Sequence, residues 1–395
     1  MAVYKIFPEQ DATIYSAYPI LNSGLDAILQ ISNQNPATSA SAEVARSLVQ
    51  FDQDGIENII DNFVGNMNFS SSLKLFIANA NGITMNSNIE CYAISGSWNN
   101  GTGQFLNSPQ TTNGCSWDFR FSTGSERWAD NEGSSTLNAY VTCSYSGSTT
   151  AGGGTWYTGS QDDTLIISSS QNFNTRTTKD IDLNVTDIVK IWYSSSNAVG
   201  GTYTSIENNG FILKWTDASN PASNSDIEFN QNLSVTPLFK NFSVDTNTIY
   251  PPCLEMKWDD QSFITGSLPP IQTTDLFVAL DSNQGVFYSE SINRFRLNVR
   301  PEFPDRIYST QSVNTVNHYL NENSLYAIKD LDTNEFVVDF DPQFTKISCD
   351  STSNYFDVYM NGLEPERYYQ ILIQTTISGS TIVKDEKYYF KVVNG

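Results

Sequence analysis

The stretch VTDIVKIWY, residues 185–193, interrupts a chain that otherwise reads as strands and polar loops. Val185, Ile188, Val189 and Trp192 fall at i, i+3, i+4 and i+7, the spacing of one helical face. Thr186 or Asp187 can cap its start, SSSN follows to end it, and the chain returns to strand at NNGFILKW. Ile56, Ile59, Ile60 and Phe63 repeat the same face, with Asp52 or Asp54 at the start. Two short amphipathic helices set among strands predict lids: each lays its apolar face over an open end of a β-sheet core.

Outward from these helices the strand signals are dense. DAILQISNQ, SSLKLFIANA, SNIECYAISGSW, DDTLIISS, KDIDLNV and YPPCLEMKW read as strands. A Gly-, Asn- and Ser-rich region carries Trp98, Trp117, Trp128 and Trp156, and its part from 101 to 154 has the composition of an insert. Residues 259–275, DDQSFITGSLPPIQTTD, have the composition of a linker or long hairpin. Beyond them INRFRLNVR, NEFVVDFD, YFDVYMNGL and YYQILIQTTISGSTIVKDEKYYFKVV alternate at period two. The expectation is an all-β chain. A β-sandwich with two short capping helices fills residues 1–260, and a smaller sandwich of the immunoglobulin or fibronectin type fills 261–395.

Of the 395 residues 39% are hydrophobic, including 20 Tyr, 23 Phe and 7 Trp, which is enough for real cores. The formal net charge of -22 repels phosphate backbones and anionic lipid surfaces, so neither nucleic acid nor membrane is an expected partner. The five cysteines, Cys91, Cys115, Cys143, Cys253 and Cys349, have no CxxC spacing and are odd in number, and His318 is the single histidine. That predicts buried, reduced thiols, with neither a zinc site nor a disulfide framework. MAVYKIFPEQDATIY has no apolar run of signal-peptide length, which predicts a protein made in a cytoplasm and not exported by the secretory route.

Candidate chemistry is sparse. With His318 in the second domain, a Ser-His-Asp or Cys-His site in the first is excluded, and VNHYL carries no nucleophile motif. Counting 43 Asp and Glu leaves a glycan-cleaving carboxylate pair open. DQDG at Asp52 lacks the later ligands of a calcium-binding loop. The expectation is a non-enzymatic protein with no catalytic residue, no resident metal and no cofactor. Trp117, Trp128, Trp156 and Tyr157 lie in loop-like sequence, where they either stack on sugar rings or anchor long loops. On INRFRLNVR, Phe295, Leu297 and Val299 point one way, and Arg294, Arg296, Asn298 and Arg300 the other. The arginines form either an internally paired or solvated face, or a docking stripe for an acidic partner.

The ordered series DATIYSAYPILNSG, AILQIS, ARSLVQFDQDGI, SSLKLFI, IECYAISGSW, DIDLNVTDIVKIWY, NNGFILKW and PPCLEMKW resembles the DNRLRE domain over roughly residues 3 to 260. That resemblance implies a jelly-roll-like sandwich related in shape to carbohydrate-binding modules. VDTNTIYPPCLE, ESINRFRLNVRPEFP, YAIKDLDTNEFVVDFD, YMNGLEPERYY and YYFKVVNG resemble structural proteins of contractile-tailed cyanophages. This second resemblance implies a virion component of the neck, tail or baseplate, with other virion proteins as partners. A cell-surface glycan bound by the jelly-roll module is the alternative partner.

Overall fold

Strand Glu43–Phe51, EVARSLVQF, is buried along almost its whole length. A near-continuous buried run of this kind belongs to a strand covered on both faces, whereas Ser87–Ala93 alternates buried and half-buried residues as a strand with one covered face does. The computed structural model describes residues 2–34, 43–65, 68–83, 87–122, 126–128, 138–141, 152–158, 160–161, 165–166, 168–197, 206–217, 237–259, 263–281, 283–305 and 312–395. Among the described residues the protein is all-β with two short α-helices. It divides into two compact units, one of Ile6–Asn62 and Ser70–Glu255, the other of Met1–Lys5, Phe63–Phe69 and Met256–Gly395. No helix among the described residues is long and apolar enough to cross a membrane.

The first unit is built on an eight-stranded sheet. Its order is Ser168–Phe173, Ser87–Ala93, Phe211–Asp217, Glu43–Phe51, Ile28–Gln34, Leu238–Phe242 and Ile77–Asn81, with Pro8–Tyr15 also paired to Glu43–Phe51. Elsewhere in this unit Ile181–Asn184 runs antiparallel to Phe69–Leu75, with Ile181 opposite Leu75 and Asn184 opposite Ser72.

The helix expected at 185–193 spans Thr186–Asn197. Val185, Ile188, Val189, Ile191 and Trp192 are all buried. The Trp192 ring lies 4.7 Å from Phe211, which in turn meets Phe51 at 6.1 Å, so the helix packs on the two central strands. The helix begins at Thr186, one of the two expected caps, so the capping position falls to Val185. Val185 supplies the carbonyl that Val189 N–H bonds, and Asn184 Oδ1 accepts from both the N–H (3.1 Å) and the hydroxyl (2.7 Å) of Thr186. The other helix spans Gln53–Ile59 and continues as a π-turn over Ile60–Val64. Asp52 caps it, accepting from Gly55 N–H at 3.0 Å, and Ile56, Ile59 and Ile60 are buried. Tyr193 donates its hydroxyl to Asp61 (2.6 Å) and so ties the two helices together.

The second unit has two sheets around one core. One runs Leu276–Asp281, Ile292–Pro301, Asn354–Tyr359 and Ser348–Cys349. The other runs Val286–Tyr288, Ser380–Val393, Tyr368–Ile377, Leu325–Asp330 and Phe336–Val338. Phe295 and Phe356 of the first sheet stack at 5.5 Å, and they meet Phe390 and Tyr326 of the second at 5.5 and 4.3 Å. Residues 2–5 belong to this unit because Val3 enters its core, Tyr4 packs on Phe63 and Tyr359, and Asn361 donates to Lys5 O.

Candidate functional site

The tryptophans singled out in the sequence are not ring platforms. Trp117 is 6% exposed, Trp128 1% and Trp156 2%. They share a core with Ala12, Ile14, Leu48 and Ile212 of the large sheet. Trp128 Nε1 donates to Ser116 O at 2.9 Å. Arg46, fully buried on Glu43–Phe51, sits with its guanidinium carbon 4.9 Å from the Trp117 ring and 5.2 Å from Trp156, and bonds Gly153 O through Nη1. Of the two readings, sugar stacking and loop anchoring, the burial of Trp117, Trp128 and Trp156 fits the second: their faces hold neighbouring backbone to the sheet around a buried cation. Tyr157, half-buried, stands next to them, and burial raises its hydroxyl pKa.

The signal for this cluster was present in the sequence. VARSLVQF places its one arginine between Val44 and Leu48 of a largely apolar strand, and an arginine buried in such a strand needs partners. What the sequence did not show is which loop residues reach it.

The arginine face of Ile292–Pro301 forms as the alternation requires, with Phe295, Leu297 and Val299 buried beneath it. Its arginines are occupied within the unit. Arg294 lies directly opposite Asp357 on the neighbouring strand and donates Nε and Nη2 to the two carboxylate oxygens, both at 2.8 Å. It also covers the Tyr355 ring at 4.1 Å. Arg296 donates Nη1 to Asp350 (2.7 Å), Ser353 Oγ (2.8 Å) and Thr352 Oγ1 (3.1 Å). Partial burial opposes ionisation of Asp350, but hydrogen bonds from Thr352, Ser353 and Arg296 outweigh it and hold the carboxyl below its ordinary range. Arg300 differs from both. Nη1 reaches only the carbonyls of Pro301 and Glu302, and the guanidinium lies 4.6 Å from the Phe277 ring. Of the two readings of this face, internal pairing holds for Arg294 and Arg296, which form two intramolecular ion pairs, whereas Arg300 meets no carboxylate among the described residues, so the three do not form one free docking stripe.

Among the described residues no group of His, Cys, Asp or Glu is placed to hold a metal ion. Cys91, Cys115, Cys253 and Cys349 are buried and form no disulfide among the described residues, and burial pushes the Cys349 thiol up to about 11. Cys143 lies outside the described residues. His318 is half-buried, with Nδ1 enclosed and unbonded.

No family model matches the chain, and no curated protein does. Among solved structures, the crystal structure of Parabacteroides merdae β-glucuronidase aligns at 10% identity with a TM-score of 0.14. The alignment covers 96% of this chain and 36% of that one, so the chain spans about a third of that structure's length. A likeness this slight carries no argument about fold or activity.

Proposed function

We propose that this protein is a non-enzymatic structural or accessory part of a tailed-phage virion, placed at the neck, tail or baseplate and acting through protein contacts. The resemblance of its segments to cyanophage structural proteins motivates the reading. The observation that carries its contact mode is an exposed tyrosine face on the second unit. Val286 pairs with Lys391, which pairs with Tyr368, and beside them Tyr288 pairs with Val393 and Tyr389 with Gln370. Strand alternation puts these residues on one face, and Tyr288, Tyr368 and Tyr389 are 63%, 52% and 42% exposed. Rigid amphipathic rings left in solvent suit a protein interface.

Two finer architectural readings belong to the same proposal. The first unit is a jelly-roll-like module of the DNRLRE type, which its large antiparallel sheet supports. The second is an immunoglobulin-like sandwich, supported by Tyr369, whose buried hydroxyl donates to Glu364 O five residues upstream at 2.9 Å. Immunoglobulin-type sandwiches carry such a tyrosine corner.

The test is a cryo-EM map of the particle together with incorporation of a Tyr288→Ser/Tyr368→Ser variant. The reading expects density for the chain in the particle and loss of the folded variant from purified virions. Absence of the wild-type chain from the particle would overturn the virion role. Normal incorporation of the variant would move the contact surface elsewhere.

A further inference from the structure

We propose that the second unit holds a binding cleft for a carboxylate-bearing sugar, a uronic-acid residue, with Arg300 taking the carboxylate. The inference stands apart from the virion reading and from the buried tryptophans of the first unit.

The cleft follows from strand pairing. Leu276–Asp281 and Ile292–Pro301 run antiparallel with Phe277 opposite Arg300 and Ala279 opposite Asn298, so these four side chains share the face turned from the core. Residues 314–317 form the facing wall, and the half-open cleft between them has a volume of about 330 Å³. That lies at the lower end of small-ligand sites, roughly 300–1,000 Å³. The wall is fastened rather than loose. Asn317 Oδ1 accepts from Val299 N–H (2.6 Å) and His318 N–H (3.0 Å), and its amide donates to Asn298 Oδ1 and Thr352 O, both at 2.9 Å.

The groups left over define the ligand. Arg300 bonds through Nη1 alone, so its Nε and Nη2 edge has no acceptor among the described residues. Arg294 uses that same edge to grip Asp357 two-pronged. In a chain of net charge -22, an arginine fixed on an aromatic ring with no carboxylate among the described residues makes an anion site. Beside it the Asn298 amide nitrogen and the Asn314 carboxamide have no bond among the described residues, and Thr315 Oγ1, which donates to Ser312 O, keeps its accepting lone pairs.

A carboxylate alone needs donors only. The two carboxamide side chains and the hydroxyl offer both donors and acceptors, which match sugar hydroxyls that also do both. Ala279, Val316 and the edge of Phe277 left open by Arg300 supply apolar surface for the C–H face of the ring. An acidic side chain of another protein would use the arginine and leave the other groups idle.

Calorimetric titration of the full chain with galacturonic acid and trigalacturonate tests this, with glucose, sulfate and a glutamate-containing peptide as comparison ligands. The expected result is saturable uronate binding, weaker by at least about tenfold for glucose and in Arg300→Gln and Arg300→Lys, since lysine keeps the charge but loses the fork. Backbone amide shifts in the wild-type chain should move at Phe277, Asn314 and Asn317 on adding uronate, which reads the site without any variant. No saturation by about 10 mM uronate, or shifts confined to other residues, would overturn the proposal. So would unchanged affinity in a folded Arg300 variant. Equal displacement of uronate by sulfate would reduce the cleft to a general anion site, and tighter binding of the peptide would make it a protein-docking pocket. Either result overturns the sugar assignment.

Discussion

Arg294 and Asp357 face each other across two neighbouring strands and share two hydrogen bonds of 2.8 Å. The arginine is still 44% exposed at its side chain, so water screens the pair and its net worth is small despite the two-pronged geometry. Arg294→Ala should cost about 1 kcal/mol or less in urea unfolding, and less again in high salt. A loss several times larger would mean that the pair is held in a drier setting than this surface offers.

Trp192 gives the larger effect. Its ring is 1% exposed and packed on Phe211, so truncation to alanine removes contacts and leaves a cavity. Trp192→Ala should cost about 3–5 kcal/mol, read as a fall in melting temperature. An unchanged melting temperature would remove the helix from the core of the first unit.

The buried cation cluster should behave as a fold element and not as a ligand site. Trp156→Ala should cost about 3–5 kcal/mol, because the ring is buried against Tyr92 as well as Arg46. Iodide should quench Trp117, Trp128 and Trp156 poorly in the folded wild type, as measured against single-tryptophan replacements. Strong quenching assigned to these three rings would contradict their burial.

Two carboxyls set opposite pH responses. Burial pushes Asp11 up to about 7, outweighing the hydrogen bonds from Val244 N–H and Ser243 that favour its charged form, and Asp245 adds to the rise. The folded state therefore keeps a proton that the unfolded chain has already released above pH ~4, so stability falls between about pH 4 and 7 and levels off above. Asp11→Asn should flatten that limb, whose size is on the order of a few kcal/mol. Asp330 moves the other way. Burial opposes its ionisation, but bonds from Arg367 at 2.5 and 2.8 Å and from two backbone N–H groups hold its pKa below the ordinary value. Its contribution is present above the unfolded carboxylate range and is lost as pH falls through the folded value.

Removing one partner of this nearly buried pair, in Arg367→Ala, should cost about 3–5 kcal/mol at neutral pH. Thermal melts from pH 3 to 9 on wild type and both variants check these signs. A wild-type melting temperature that rises steadily through pH 7 would refute the Asp11 assignment.

The sequence by itself determined what is periodic. The i, i+3, i+4, i+7 face of residues 185–192 is the face that is buried, and the alternation of Ile292–Pro301 put its arginines on one side and Phe295, Leu297 and Val299 on the other. These are local consequences of 3.6-residue and two-residue repeats, so a short window suffices. Only the tertiary structure decided which groups meet. Asp357 lies 63 residues from Arg294, and Asp350 54 from Arg296. Strand pairing over those separations is set by the whole sheet, and nothing near either residue encodes it. The same holds for the tryptophans: loop-like sequence around Trp117 and Trp128 says that the backbone is irregular, not whether the ring turns out to solvent or in. That choice fell to Arg46 and the sheet beneath it, which offered the rings a buried cation and an apolar floor. Arg300 stands in the same alternating row as its paired neighbours but meets no carboxylate among the described residues; the strand pairing sets Phe277 opposite it instead.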